Sequence, residues 1–125
     1  MYIGELAERA RLSLRTVRFY EEAGLLAPVG RTIRGFRLYD EDAVDRLDMV
    51  KSVKPLGFTL EEIREILTLR DAARGHGLVE GQQEDLQEQL RKWSERAQEK
   101  IAKMREKMNV AESFVCWLRE QGEPV

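Results

Sequence analysis

Cysteine, histidine, proline and aromatic residues are all scarce in this 125-residue sequence, with one, one, three and nine copies respectively. The single thiol, Cys116, excludes an internal disulfide and leads us to expect a reducing cytoplasm. One thiol and one imidazole, His76, are too few for a closed zinc site. A glycine-rich phosphate loop and a cluster of paired pocket carboxylates are also lacking, so we expect neither an enzyme nor a bound cofactor or metal. No apolar run approaches the ~18 residues of a membrane span, so no membrane partner is expected. The first residues, MYIGELAERA, lack the basic and apolar regions of a signal peptide. With aromatics at 7%, the core is thin: one small domain plus an extended element. Hydrophobic residues at 42% still place the chain among ordered proteins.

The charge is present but unevenly spread. The net is −2, yet residues 11–37 hold six arginines (11, 15, 18, 31, 34 and 37) against Glu21 and Glu22, a local +4. A nucleic-acid binder needs local positive surface rather than a high overall pI. Within this stretch Ser13 is a good N-cap for a short helix carrying Arg15 and Arg18. Gly24 ends that helix and Pro28 prevents its resumption. Ile33, Phe36, Leu38 and Tyr39 favour strand, and Arg34-Gly35 supplies the tight turn of a hairpin. A helix followed by a basic hairpin fits a major groove and its flanking phosphates.

Around this stretch the periodicity is helical. Ile3, Leu6, Ala7 and Ala10 recur at the helical spacing, so residues 3–10 form a first helix, against which Leu14 and Val17 of the second should pack. Two short helices joined at Arg11-Leu12 make a helix-turn-helix with a hairpin wing. Asp40 caps a third helix, and the acids of DEDAVDRLD complement its positive N-terminus. Val44, Leu47 and Val50 form its inner stripe; Pro55 and Gly57 stop it. Thr59 opens a fourth helix with a capping box to Glu62 and a staple of Phe58 onto Ile63. Leu60, Ile63, Ile66 and Leu67 are its expected buried face.

Three glycines in residues 71–82 predict a linker. Beyond it Leu86, Leu90, Trp93, Ala97, Ile101, Met104, Met108, Ala111, Val115 and Leu118 recur at steps of four and three. No Pro or Gly interrupts 82–121, giving a helix of about 55–60 Å at the usual rise. One narrow apolar seam with nothing in the same chain to cover it implies a partner helix, most economically that of a second copy. Few seam positions are β-branched, which leaves the orientation of the pair open. The expected architecture is mainly α. A winged helix-turn-helix domain (four helices and a small β-hairpin wing) covers 1–70, the linker 71–82, and a coiled-coil dimerisation helix with its tail 83–125.

These residues carry a resemblance. IGELAERARLSLRTVRFYEEAGLL, RGFRLYDEDAVDRL and LGFTLEEIREIL, in this order and spacing, resemble the N-terminal domain of the MerR family of bacterial transcription regulators over roughly residues 2–70. The resemblance implies a homodimer paired through an antiparallel coiled coil, which would set the two 11–37 regions at opposite ends. It further implies a near-palindromic site in double-stranded promoter DNA whose spacer is too long for RNA polymerase. Such proteins bend and untwist the duplex, so regulation runs through deformation energy. By analogy Thr16, Arg18 and Tyr20 would belong to the DNA-contacting helix, on which Arg15 also faces outward, and Arg34, Arg37 and Tyr39 to the first wing. Lys51 and Lys54 lie at a second wing. The seam residues Leu86, Leu90, Trp93, Ala97, Ile101, Met104 and Met108 would make the dimer.

The sequence departs from the family in three places. Arg11 stands where the helix-turn-helix turn usually carries Gly, so that turn is expected to be strained or of another type. Pro55 sits where most members carry a helix former. The cysteines of the metal-sensing members are missing, and no large drug-binding domain is expected. In an antiparallel dimer Cys116 would face His76 or Glu80 of the other copy, a candidate effector site for a thiol-reactive species or a soft metal. The competing reading of the residues alone is a coiled-coil interaction protein that meets DNA without sequence preference.

Overall fold

The computed structural model describes residues 1–75 and 82–122. They divide into two compact units, Met1–Leu86 and Gln87–Val125. In the first, α1 (Ile3–Ala10) and α2 (Leu14–Glu22) are followed by the antiparallel strands β1 (Gly30–Arg31) and β2 (Arg37–Leu38), then α3 (Glu41–Val53) and α4 (Leu60–Ala73). Helix α5 (Gln82–Gly122) starts in this unit and makes up the second. No described helix is long and apolar enough to cross a membrane.

The element ends are set by local chemistry. Ser13 Oγ accepts from Thr16 N, and Asp40 Oδ1 from Ala43 N, each satisfying an orphan donor of a helix start. The capping box at α4 is complete: Glu62 N donates to Thr59 Oγ1 at 3.1 Å and Thr59 N to Glu62 Oε1 at 2.9 Å. After α3 a 3-10 turn, Lys54–Leu56, takes Pro55 and ends at Gly57 with φ +83°. Of the two outcomes expected at Arg11, a strained turn or one of another type, the strained one is observed, for this residue adopts φ 57°, ψ 43°. It is the one non-glycine residue with positive φ among those described.

The core of the first unit draws on every helix in it. Leu6, Val17, Leu25, Leu47, Val50, Ile63 and Leu67 are fully buried, and Phe58 and Leu86 nearly so. Leu14, expected to pack on α1, is instead 40% exposed. Helix α2 reaches the core through Val17 and Tyr20, one turn further on, which leaves its first-turn residue outside. On α4, Leu60 and Ile66 are half-buried, and Leu69 and Arg70 join the buried set in their place.

Charged side chains tie the helices together. The Arg70 guanidinium is buried and donates to Asp42 at 2.5 Å and to Asp71 at 3.1 Å. Arg46 donates to Asp71 at 2.7 Å and to the Leu25 carbonyl at 3.0 Å. Helix α4 therefore runs into the stretch expected as linker, and Asp71 works there as a tie between α3 and α4. Residues 76–81 of that stretch lie outside the described residues.

In the second unit the helix is a single amphipathic element. Its charges pair along its own length, Arg91 with Glu88 at 2.6 Å and with Glu95. Ile101, Met104, Met108, Val115 and Leu118 remain between 37% and 58% exposed.

Candidate nucleic-acid interface

The arginines of the first unit differ in their partners. Arg9, Arg37, Arg46, Arg70 and Arg74 each meet a carboxylate. Arg11 at the α1–α2 turn and Arg64 on α4 are exposed with no carboxylate partner among the described residues. So are four on α2 and the hairpin, Arg15 and Arg18 on the helix and Arg31 and Arg34 on the hairpin. Desolvated salt partners would have neutralised them; left unpaired, they form a positive surface ready for an anion.

The hairpin that carries the wing arginines has Arg31 opposite Arg37 and Gly30 opposite Leu38. Its loop is three residues long, Ile33 to Gly35, rather than a two-residue turn. Thr32 N donates to the Phe36 carbonyl at 2.8 Å, Gly35 N to the Thr32 carbonyl at 2.9 Å, and Phe36 N to Thr32 Oγ1 at 3.1 Å. Gly35, at φ +84°, takes the left-handed position such a loop needs. Ile33 is fully exposed at the tip, beside Arg34.

Between the wing and the first two helices lies an open groove of about 610 Å³, lined by Tyr2, Ile3, Arg18, Gly35, Phe36, Arg37 and Tyr39. Arg18 of α2 and Arg37 of β2 thus border one depression. Tyr2 and Phe36 meet edge to face at 6.2 Å on its apolar side, more than half exposed. The arrangement, two guanidinium groups beside exposed rings, can hold a polyanion against an aromatic floor.

Several residues anticipated at the surface have other company. Tyr20 is buried and its hydroxyl accepts from Lys54 Nζ at 3.2 Å. Tyr39 is buried too, and its hydroxyl donates to Glu21. Burial and that hydrogen bond push the Tyr39 phenol up to about 12. Lys51 Nζ donates to the Ala10 carbonyl at 2.8 Å, a cation on the C-terminus of α1. Thr16 is half-buried, its hydroxyl 2.8 Å from Ser13 Oγ. Tyr20, Tyr39, Lys51, Lys54 and Thr16 thus each have a partner within the chain, whereas Arg15, Arg18 and Arg34 have no carboxylate partner among the described residues. Arg31 belongs with these three, set opposite Arg37 by the strand register. Of the effector candidates, Cys116 is exposed on α5, and His76 and Glu80 lie outside the described residues.

Two family models match this chain: that of the MerR HTH family regulatory proteins over residues 1–69, and that of the MerR DNA-binding region over residues 44–113. The chain is 44% identical over 69 residues to the mercuric resistance operon regulatory protein of Bacillus cereus, covering 55% of this chain and 52% of that one. It is 42% identical over 89 residues to the HTH-type transcriptional regulator ZntR of Escherichia coli K12, covering 69% and 63%. The chain spans between half and two thirds of the length of these two curated relatives. Among solved structures it is similar to the transcription regulator PbrR691 of Ralstonia metallidurans CH34, determined in complex with lead(II). The identity is 35% and the TM-score 0.56, over 96% of this chain and 84% of that one. The fold is also that of HiNmlR, a MerR family regulator lacking the sensor domain, determined on promoter DNA. Here the TM-score is 0.70 at 20% identity, over 95% and 90%.

Proposed function

The chain belongs to the MerR family of helix-turn-helix regulatory proteins, and from that premise we propose that it is a dimeric, sequence-specific regulator of transcription. It binds a near-palindromic promoter site through two copies of the α2–wing surface and distorts the spacer so that RNA polymerase can or cannot engage. The observation that carries this reading is the contrast between paired and unpaired arginines. Arg15, Arg18, Arg31 and Arg34 stay exposed and unpaired on α2 and the hairpin, while buried or interhelical arginines nearby are neutralised. Arg15 and Arg18 suit base edges, where a bidentate guanidinium discriminates guanine; Arg31 and Arg34 suit the flanking phosphates.

The second copy is supplied by α5. Its seam leaves Ile101, Met104 and Met108 at 37%, 45% and 58% exposure, and an apolar stripe at coiled-coil spacing is covered by a like helix. An antiparallel pair gives two-fold symmetry, which matches a palindromic site.

The test is binding of the purified chain to duplexes selected by it from a random pool, followed by fluorescence anisotropy across a salt series. A selected motif with dyad symmetry is expected. The logarithm of affinity should fall with the logarithm of salt by ~0.9 for each phosphate neutralised. Arg18→Ala should cost roughly tenfold to a hundredfold in affinity for the selected duplex. A flat salt response, or no motif emerging from the selection, overturns the proposal in favour of an interaction protein without DNA preference.

A further inference from the structure

The wing that carries Arg31 and Arg34 has strands of only two residues each, which make their main contacts with each other. A lone hairpin of this size is marginal in water. Its strand register also sets Arg31 directly opposite Arg37, a like-charge pair that works against the hairpin. Something outside the hairpin must therefore fix it relative to α2.

Glu21 does this from the last turn of α2, three residues beyond Arg18. Its side chain is only 11% exposed. One carboxylate oxygen accepts from Arg37 Nη1 at 2.5 Å, and the other accepts from the Tyr39 hydroxyl. Tyr39 is in turn held to the chain start in both directions: its N–H donates to the Met1 carbonyl at 2.8 Å, and the Met1 ammonium donates to the Tyr39 carbonyl at 2.7 Å. The carboxylate thus joins the helix to the root of β2 and supplies the counter-charge for the Arg31–Arg37 pair. The arginines it leaves unpaired are Arg18 on the helix, which lines one groove with Arg37 and Tyr39, and Arg31 and Arg34 on the wing.

Resting on the DNA-binding reading above, we propose that Glu21 is a positioning residue for sequence discrimination: it locks the wing to α2 so that helix and wing arginines meet a duplex at one fixed spacing. A duplex whose groove and phosphates match that spacing gains both sets of contacts. A mismatched duplex gains one set or the other. Without Glu21 the two sets act independently, and the selected site loses its advantage while general attraction to phosphate remains.

The experiment compares wild type, Glu21→Gln and Glu21→Ala for affinity to the duplex selected by the wild-type chain and to a scrambled duplex of equal length. Thermal unfolding is recorded for each. Losing the charge-assisted bonds should weaken binding to the selected duplex by roughly tenfold to a hundredfold in Glu21→Ala, and by less in Glu21→Gln, which keeps an acceptor for Tyr39. Affinity for the scrambled duplex should hold or rise, because a negative charge beside Arg37 has gone. A purely structural role would instead lower the folded fraction and scale both affinities together. If the ratio of the two affinities stays within about twofold of wild type in both variants, the proposal is overturned. If the wild-type chain itself fails to discriminate the two duplexes, the DNA-binding reading falls, and this one with it.

Discussion

In the N-terminal unit Leu6, Leu25, Leu47, Ile63 and Leu67 are at most 2% exposed, whereas along α5 Met104, Met108 and Leu118 stand between 45% and 58% exposed. The polar groups divide the same way. Arg70, Asp42, Asp71 and Arg46 link α3 to α4 across long stretches of sequence. The pairs of α5, such as Arg91 with Glu88 and Lys103 with Glu99, join residues one turn apart on an exposed face, where solvent screens them and they add little to stability. The first unit closes its own core, so its unpaired arginines are surplus to folding. The long helix cannot close its own seam, so its purpose is written in what it leaves uncovered. On the proposed function, the first unit meets a duplex and the long helix a second copy of the chain.

That contrast is open to attack at three points. The largest effect should come from charging the seam. Met104→Glu with Met108→Glu would put carboxylates into the proposed helix pair, at a cost of several kcal/mol. Analytical ultracentrifugation should then show a monomer at concentrations where wild type is a dimer, with unfolding of the N-terminal unit retained. An unchanged dimer would remove the seam from the account.

A smaller effect tests the self-sufficiency of the first unit. Hydrogen bonding from Arg70 holds the Asp42 carboxyl below its ordinary value of 3.8. A lowered folded value means that this stabilisation is complete above the unfolded value and is lost as the pH falls through the folded one. Stability of the unit should therefore decline below about pH 4. Asp42→Asn should remove that part of the acid limb. At neutral pH it should cost about 1–2 kcal/mol, discounted because Asp42 is about half exposed and Asp71 still holds Arg70. Chemical denaturation at a series of pH values reads both; an unchanged acid limb in the variant would show that the tie does not stabilise the unit.

The smallest effect has the opposite sign. Arg11 sits in the left-handed region at φ 57°, where a side chain costs ~1–2 kcal/mol and glycine does not. Glycine also loses more freedom on folding, so Arg11→Gly should stabilise the unit by only about 0.5 kcal/mol net. A clear loss of stability in thermal melts would mean that the arginine side chain makes up for its backbone strain.

Much of this was legible in the residues. Ser13, Asp40 and Thr59 announce their helices because a cap needs only residues three positions apart. The Arg11 turn was legible only through the resemblance, whose members usually carry glycine at that position. The seam of α5 was readable because its period is the helix's own. What escaped involves residues far apart in the chain. Nothing local says that the Tyr20 hydroxyl will be taken by Lys54, 34 residues later. Arg70 looks like a surface arginine until Asp42, 28 residues earlier, is brought beside it. Leu14 is apolar at a helical spacing, yet the packing of α2 through Val17 and Tyr20 leaves it outside. The same limit hid the Tyr39 hydroxyl on Glu21, an acid whose place among arginines suggests an ion pair and nothing more.

The claim at the centre is that two chains share one duplex, each reading half of it. Sedimentation equilibrium of the chain with a labelled duplex bearing its selected site measures that directly. The account predicts a complex of two chains and one duplex, with no stable complex of one chain and one duplex at lower protein. A complex containing a single chain at every concentration would contradict it.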